Sequence, residues 1–388
     1  AYLNAAVLYT LAATPGTVTL DAGLGPFSPN LFLCCMGIPG AGKDRLMRVT
    51  RRGINVSGGG KDLRPTDAGI GSGEGLLAAL SPDGEGNAPG ASVLFGVSEV
   101  GLLKQLAGRQ GSTLRPHLLN MYSGNALTVN NKSERLLIPA DSYRACLWVG
   151  CQLDTAGFLL EGDDDGLRHR FVFTELVDPV RTPGVEYPQA LPLHVKIPDA
   201  LLRGEPMQFA ESIVQAVREE QTLKLIYGAA PGGNGHQTQS TLKVAAGIAL
   251  LCSRGSVTEE DYARARALMR YSADVAAAAE AHLFGKKVDA DAERMARRDA
   301  AEEQREAEKI GKARGVLLEA VGNAGEWIAE SPLRNRARRY REEFDAAVTE
   351  LENAGAIEVR VIDDGSVKRR MLGPGRSLEE VRTFYGMS

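Results

Sequence analysis

Leu31-Phe32-Leu33-Cys34-Cys35-Met36-Gly37-Ile38-Pro39-Gly40-Ala41-Gly42-Lys43-Asp44 is the stretch on which the fold turns. Six apolar residues run into a glycine-rich loop, and Arg45–Thr50 can then continue as a helix. Strand, G-x-x-x-x-G-K, helix is the setting in which such a loop cradles phosphates. The glycines answer a chemical need, because backbone N–H groups must turn inward and side chains would block them. Gly37, Pro39, Gly40, Ala41, Gly42, Lys43, Asp44 and Arg45 are therefore candidate nucleotide-binding residues, with Lys43 reaching the β- and γ-phosphates. Asp44 departs from the pattern, since Ser or Thr usually stands there. A glycine-rich turn that happens to hold a lysine, and a nucleotide site that has lost activity, are the competing readings.

Working outward, Ser92-Val93-Leu94-Phe95-Gly96-Val97-Ser98-Glu99 reads as a strand ending in a carboxylate. In P-loop ATPases a strand of this kind ends in Asp-Glu, the Asp on Mg²⁺ and the Glu beside the attacking water. Here the pair is Ser98-Glu99, so Glu99 keeps the base role. Asp44 in the loop and Ser98 on the strand exchange group types but still offer one carboxylate and one hydroxyl. Mg²⁺ accepts hard oxygens directly or through water. The expectation is Asp44 at the metal with Ser98 in the outer shell; the rival is Asp44 paired with Lys43 or Arg45. Leu31–Met36, Ser92–Val97, Ala145–Cys151 and Arg170–Thr174 are the expected buried strands. Continuous apolar runs of this length suit a parallel sheet covered on both faces. Gln152, just past the third run, is a candidate for orienting water, or simply a polar strand end.

The chain has 388 residues, room for two to three domains. Its 45 Lys+Arg against 49 Asp+Glu give a net charge of -4, which excludes a histone-like polycation and leaves nucleic acid to local patches. No apolar run reaches the ~18–20 residues needed to span a bilayer; Leu242–Cys252 is interrupted by Lys243 and Gly247. Ala1–Ala13 is apolar, lacks a basic start and ends at Thr14-Pro15-Gly16, so it reads as a buried helix rather than a signal peptide. The chain starts at Ala1 rather than Met, as a fragment or processed product would. Its five cysteines form no CxxC pair and none is near a His at metal spacing, so reduced thiols, a cytoplasmic protein and no zinc site are expected. Helical spacing marks Gln208–Leu225, Thr241–Leu251, and a segment from Thr258 to about Leu283 with acids in its first turn. Asp289–Lys312, almost all Ala and charge, reads as a solvated helical spacer.

With both motifs placed, other segments resemble the AAA+ helicase domain of phage and plasmid replication proteins, and more distantly the minichromosome-maintenance helicases. Gly71-Ser72-Gly73-Glu74-Gly75-Leu76 resembles the segment between the two nucleotide motifs, and Ser112–Gly124 the helix after the acidic motif. Gly166-Leu167-Arg168-His169-Arg170-Phe171 resembles the G-x-x-x-R-F whose Arg acts on a neighbour's ATP. Thr241-Leu242-Lys243 to Val257-Thr258-Glu259-Glu260-Asp261 resembles the lid helices, Lys243 standing where Arg is commoner. The resemblance covers roughly residues 30–285. It implies ATP and Mg²⁺ as ligands, a ring (a hexamer), single-stranded or forked DNA as partner, and often a fused or associated primase-polymerase; for a phage protein the place is the host cytoplasm. It gives Arg170 the subunit-bridging role, with Arg168 as neighbouring candidate, and Lys243 a contact to the γ-phosphate.

Two further segments bear on DNA. Asn125–Pro139 alternates around a polar Asn130-Asn131-Lys132-Ser133 tip, a hairpin whose Lys132 can touch backbone phosphate, or an ordinary surface hairpin. Ser331–Arg341 carries Arg334, Arg336, Arg338, Arg339 and Arg341 with no acid, between the helical segment Val316–Val321 and a helix over Arg341–Ala354. Ile357–Ile362, Asp363-Asp364-Gly365 and Val367–Leu372 follow as a hairpin. That outline is a winged helix. Clustered Arg suits phosphate neutralisation, although the acidic Glu342–Asn353 helix argues against ordinary major-groove reading. The expected architecture is an α/β P-loop NTPase core of the AAA+ type with a parallel sheet (1–180), a helical lid (181–285), a charged linker (286–312) and a winged-helix DNA-binding domain (313–388). The expected function is an ATP-dependent DNA helicase or translocase. The alternative is an ATP-controlled DNA-binding initiator, or a P-loop switch or loader without unwinding.

Overall fold

A computed structural model describes residues 1–81, 91–130, 135–161, 166–177, 192–228, 235–363 and 368–384. Five strands pair in parallel: β1 (Phe32–Met36), β2 (Thr66–Gly69), β3 (Ser92–Val97), β4 (Arg144–Cys151) and β5 (Phe171–Glu175). Their spatial order is β5-β1-β4-β3-β2. The four apolar runs expected to be strands form this sheet. Its edge strand β2 was not foreseen, because Thr-Asp-Ala-Gly is short and polar.

The strand side chains divide by parity, as a pleated sheet requires. Leu33, Cys35, Leu94, Cys146, Trp148 and Val172 enter one core; Phe32, Cys34, Phe95, Leu147, Val149 and Phe171 enter the other. The first face is covered by α1 (Tyr2–Ala12) and α2 (Lys43–Gly53), the second by α3 (Gly73–Leu80), α4 (Val100–Ala107) and α5 (Leu114–Ser123). The apolar N-terminal segment is thus a core helix; Leu8 and Leu11 are fully buried, worth about 1.5–3 kcal/mol each. Helices α6 (Glu211–Tyr227) and α7 (Gly235–Leu251) complete the first core. A short strand, Met207–Phe209, precedes α6 where the sequence suggested helix from Gln208.

Arg144 is fully buried and anchors the N-terminal segment to β4. Its guanidinium donates to Thr14 Oγ1 (3.1 Å), Ser28 Oγ (2.9 Å), Asn30 Oδ1 (2.8 Å) and the carbonyls of Pro15 and Val18. Burial lowers its pKa to about 10.

Helix α8 (Glu259–Ala324) is a single helix of 66 residues. It opens as a reciprocal cap: Thr258 N donates to Asp261 Oδ2 (2.9 Å) and Asp261 N to Thr258 Oγ1 (3.3 Å). Three separate helical segments were expected here. Ala, Glu, Lys and Arg carry the helix through Gly285, Gly311, Gly315 and Gly322, each costing only ~1 kcal/mol relative to Ala, and the span contains no Pro.

The chain divides into two compact units, Ala1–Gly285 and Lys286–Ser388. In the second, β6 (Ile328–Ala329), α9 (Glu330–Arg336) and α10 (Phe344–Asn353) follow, then β7 (Ile357–Asp363) and β8 (Lys368–Pro374). The sheet order is β6-β8-β7, antiparallel, so the expected hairpin is present. A 3-10 turn, Arg338–Tyr340, precedes α10, which starts at Phe344 rather than Arg341. Leu317, Val321, Leu333, Phe344, Val348 and Leu372 form a core of its own.

Candidate functional site: a glycine loop at the carboxyl edge of the sheet

The loop leaves β1 tied to β4, since Gly37 N donates to Cys151 O (3.0 Å). Gly40 (φ +78°) and Gly42 (φ +91°) occupy left-handed backbone, which strains any residue with a Cβ. Gly42 is the N-cap of α2 and supplies no side-chain cap. A helix N-terminus without a side-chain cap, with its dipole, is a setting that suits an anion.

Lys43 is the first helical residue and only 7% exposed. Its Nζ donates to Gly37 O (3.3 Å) and lies 3.5 Å from Glu99 Oε1. Glu99, just past β3, accepts at Oε2 from Gln152 Nε2 (3.3 Å). Ser98 Oγ donates to Asp44 Oδ1 (2.9 Å). Five residues singled out separately in the sequence, from three segments of chain, thus meet in one place. Asp44 is hydrogen-bonded to Ser98, not paired with Lys43. Arg45 is exposed on α2; Ala41, Pro39 and Gly40 form the exposed tip.

One residue at this edge was missed. A Cβ on Gly150 would overlap the carbonyl oxygen of Ser98 and come within 3.2 Å of Lys43 Cδ. Glycine in β4 lets the end of β3 and the lysine stem pack closely. A lone Gly inside the apolar run Trp148-Val149-Gly150-Cys151 was the available signal.

No family model matches the chain, and no curated protein matches it.

Other sequence candidates lie elsewhere. Lys243 is fully buried in α7, its Nζ donating to Asn30 O (2.8 Å) and Tyr122 O (2.6 Å), 3.4 Å from the Tyr122 ring centroid. Burial pushes this ammonium well below its usual range. That placement is a core brace, not the γ-phosphate contact expected of it. Arg170 is also turned inward: 9% exposed, it donates to Gly166 O (2.8 Å) and stacks near Tyr122 at 5.8 Å. It precedes β5 in a 3-10 turn that packs against α7. Arg168 is 37% exposed and paired with Glu280.

The hairpin expected near Asn125–Pro139 forms, Leu127–Asn130 pairing antiparallel with Arg135–Ile138, while Lys132 at its tip lies outside the described residues. In the second unit Arg334 is bound to Glu330 and Asp345, and Arg336 is 3.5 Å from Glu319; Arg338 and Arg339 are exposed. Two of the four arginines assigned to DNA are thus engaged in ion pairs. Among the described residues no cluster of three or more His, Cys, Asp or Glu could hold a metal by itself, and no helix is long and apolar enough to cross a membrane. Cys34, Cys35, Cys146 and Cys151 are buried, and burial pushes the Cys35 thiol up to about 12.

Proposed function

We propose that this chain is an AAA+-type P-loop ATPase that uses hydrolysis to move along DNA. The observation that carries this is the meeting of Lys43, Asp44, Ser98, Glu99 and Gln152 at the carboxyl ends of β1, β3 and β4. Open α/β sheets bind ligands outside the carboxyl ends of their strands.

On this reading, loop and α2 N–H groups receive the β- and γ-phosphates, and Lys43 exchanges the Glu99 carboxylate for a phosphate oxygen. Glu99, still held by Gln152, is then released to act as base. The water oxygen bonds to the γ-phosphorus, the bond to the bridging oxygen breaks, ADP leaves with that electron pair, and the water proton goes to Glu99. Asp44 and Ser98 place two hard oxygens side by side, a set that fits Mg²⁺, which keeps waters and phosphate oxygens and needs few protein ligands. Bound there, Mg²⁺ supplies positive charge against the developing charge on the phosphoryl oxygens.

A ring, a hexamer, would complete the site with a neighbour's arginine, and Arg168 is the more exposed candidate in this chain. The second unit, a short strand, two helices and then a hairpin that closes a three-stranded antiparallel sheet with that strand, is read as a winged helix. Replication at single-stranded or forked DNA in the cytoplasm, with or without a primase partner, belongs to the same proposal. The test is ATP hydrolysis with and without single-stranded DNA: stimulation supports the motor, and turnover indifferent to DNA contradicts it. The second reading, a nucleotide-controlled DNA-binding switch or initiator, is favoured by one observation, the Asp44 carboxylate in the phosphate loop. ATP binding without turnover would support it.

A further inference from the structure

The second unit holds a cleft of about 620 Å³ between α9, the turn after it, and β8. Six of its lining side chains are cationic, Arg334, Arg338, Arg341, Lys368, Arg369 and Arg370, against one carboxylate, Glu330. They fall into two sets. Arg334 and Arg370 are half-buried at the base. Both are shared between Glu330 and Asp345, and the Arg334 guanidinium lies 4.5 Å from the Phe344 ring centroid. Those charges are offset where they stand.

Arg338, Arg341, Lys368 and Arg369 are exposed. Among the described residues the three arginines are in no ion pair, and Lys368 has only Asp363 at 3.8 Å. Two cations stand on the helical side and two on the strand side, over an offset floor, with Ser331 and Asn335 adding polar groups. None of the lining residues is aromatic. Single-stranded nucleic acid is normally held by bases stacking on aromatic rings, whereas a duplex hides its bases and presents two rows of phosphates. Helix α10 is unsuited to enter a groove, since it carries Asp345, Glu350 and Glu352 and no basic residue.

We propose that this cleft grips the phosphate backbone of duplex DNA, without reading sequence, through Arg338, Arg341, Lys368 and Arg369. The cleft adds a partner surface that does not depend on the nucleotide site, so the test contains no nucleotide, and failure of the ATPase reading leaves its outcome intact. Fluorescence anisotropy of the full chain with a labelled blunt duplex, and with a single strand of equal length, would be followed against salt. The loss in cleft variants should be larger for the duplex than for the strand. Arg338→Gln and Lys368→Gln should each weaken duplex binding several-fold, whatever its sequence, and reduce the slope of log K against log salt by about 0.9, the pair by about twice that. Arg376→Gln, exposed and outside the cleft, should leave both quantities unchanged. Melting curves would establish that each variant is folded. Unchanged duplex affinity and slope in folded cleft variants would overturn the proposal, as would an equal or larger loss of single-strand binding in those variants. Displacement of the duplex by polyglutamate at equal charge concentration would assign the cleft to an acidic protein instead.

Discussion

Lys43 holds Glu99 at 3.5 Å and stands first in a helix whose N-cap, Gly42, offers no side-chain cap. With Glu99 half-exposed, the ion pair contributes no more than ~1 kcal/mol to stability. Lys43→Ala is therefore expected to melt close to wild type while losing about a hundredfold or more in ATP turnover; parallel calorimetry and phosphate-release assays check both halves. Asp44 and Ser98 call for a double swap. Asp44→Ser and Ser98→Asp should each impair Mg²⁺-dependent turnover and weaken Mn²⁺ binding measured by electron spin resonance, and the double variant should recover much of both. Full activity in Asp44→Ser alone would mean that the carboxylate is not a metal ligand. Lys243 gives a pH test. Its buried Nζ donates to the carbonyls of Asn30 and Tyr122. Its pKa falls from 10.5 on folding, so between the lowered value and 10.5 the unfolded chain binds the extra proton. Raising pH through that window removes the cost of stripping it. Wild-type stability relative to Lys243→Met should climb toward pH 10.5, by up to about 1.4 kcal/mol per unit. A flat difference in urea titrations would show that the buried lysine stays charged.

At the scale of elements, the close approach of β3, β4 and α2 is what assembles the site. Gly150→Ala would force the Ser98 carbonyl and Lys43 stem apart, at a cost of about 1–3 kcal/mol; a lowered melting temperature together with weaker nucleotide affinity is the expected pair of results. Gly101 in α4 is the contrast, with open space where a Cβ would go. Gly101→Ala should stabilise by about 0.5–1 kcal/mol and leave nucleotide affinity alone. The four long strands were legible because each is an uninterrupted apolar run buried on both faces. Strand β2 was not, since Thr66-Asp67-Ala68-Gly69 is short, polar and mostly exposed. Helix α8 was read as pieces because its apolar face changes along its length: Val275, Ala279 and Leu283 enter one core and Ala313, Leu317 and Val321 another, with a solvated stretch between.

Across the whole molecule, the glycine-rich loop and acidic strand end were visible as local sequence, and the strand order β5-β1-β4-β3-β2 supplies the geometry that joins them. Positions chosen by resemblance fared differently. Lys243 and Arg170 lie on the expected segments, yet both point at Tyr122, because side-chain direction depends on packing that a segment's sequence does not encode. The basic run of the second unit was legible as charge, while its division into Arg334, tied down, and Arg338, free of ion pairs among the described residues, required the fold. The most direct measurement of the central claim is ATP binding and phosphate release by wild type and Glu99→Gln in the presence of Mg²⁺. Binding by both, with release slowed at least about a hundredfold in the variant, is the expected result. No ATP binding by either protein, or equal release from both, would contradict it.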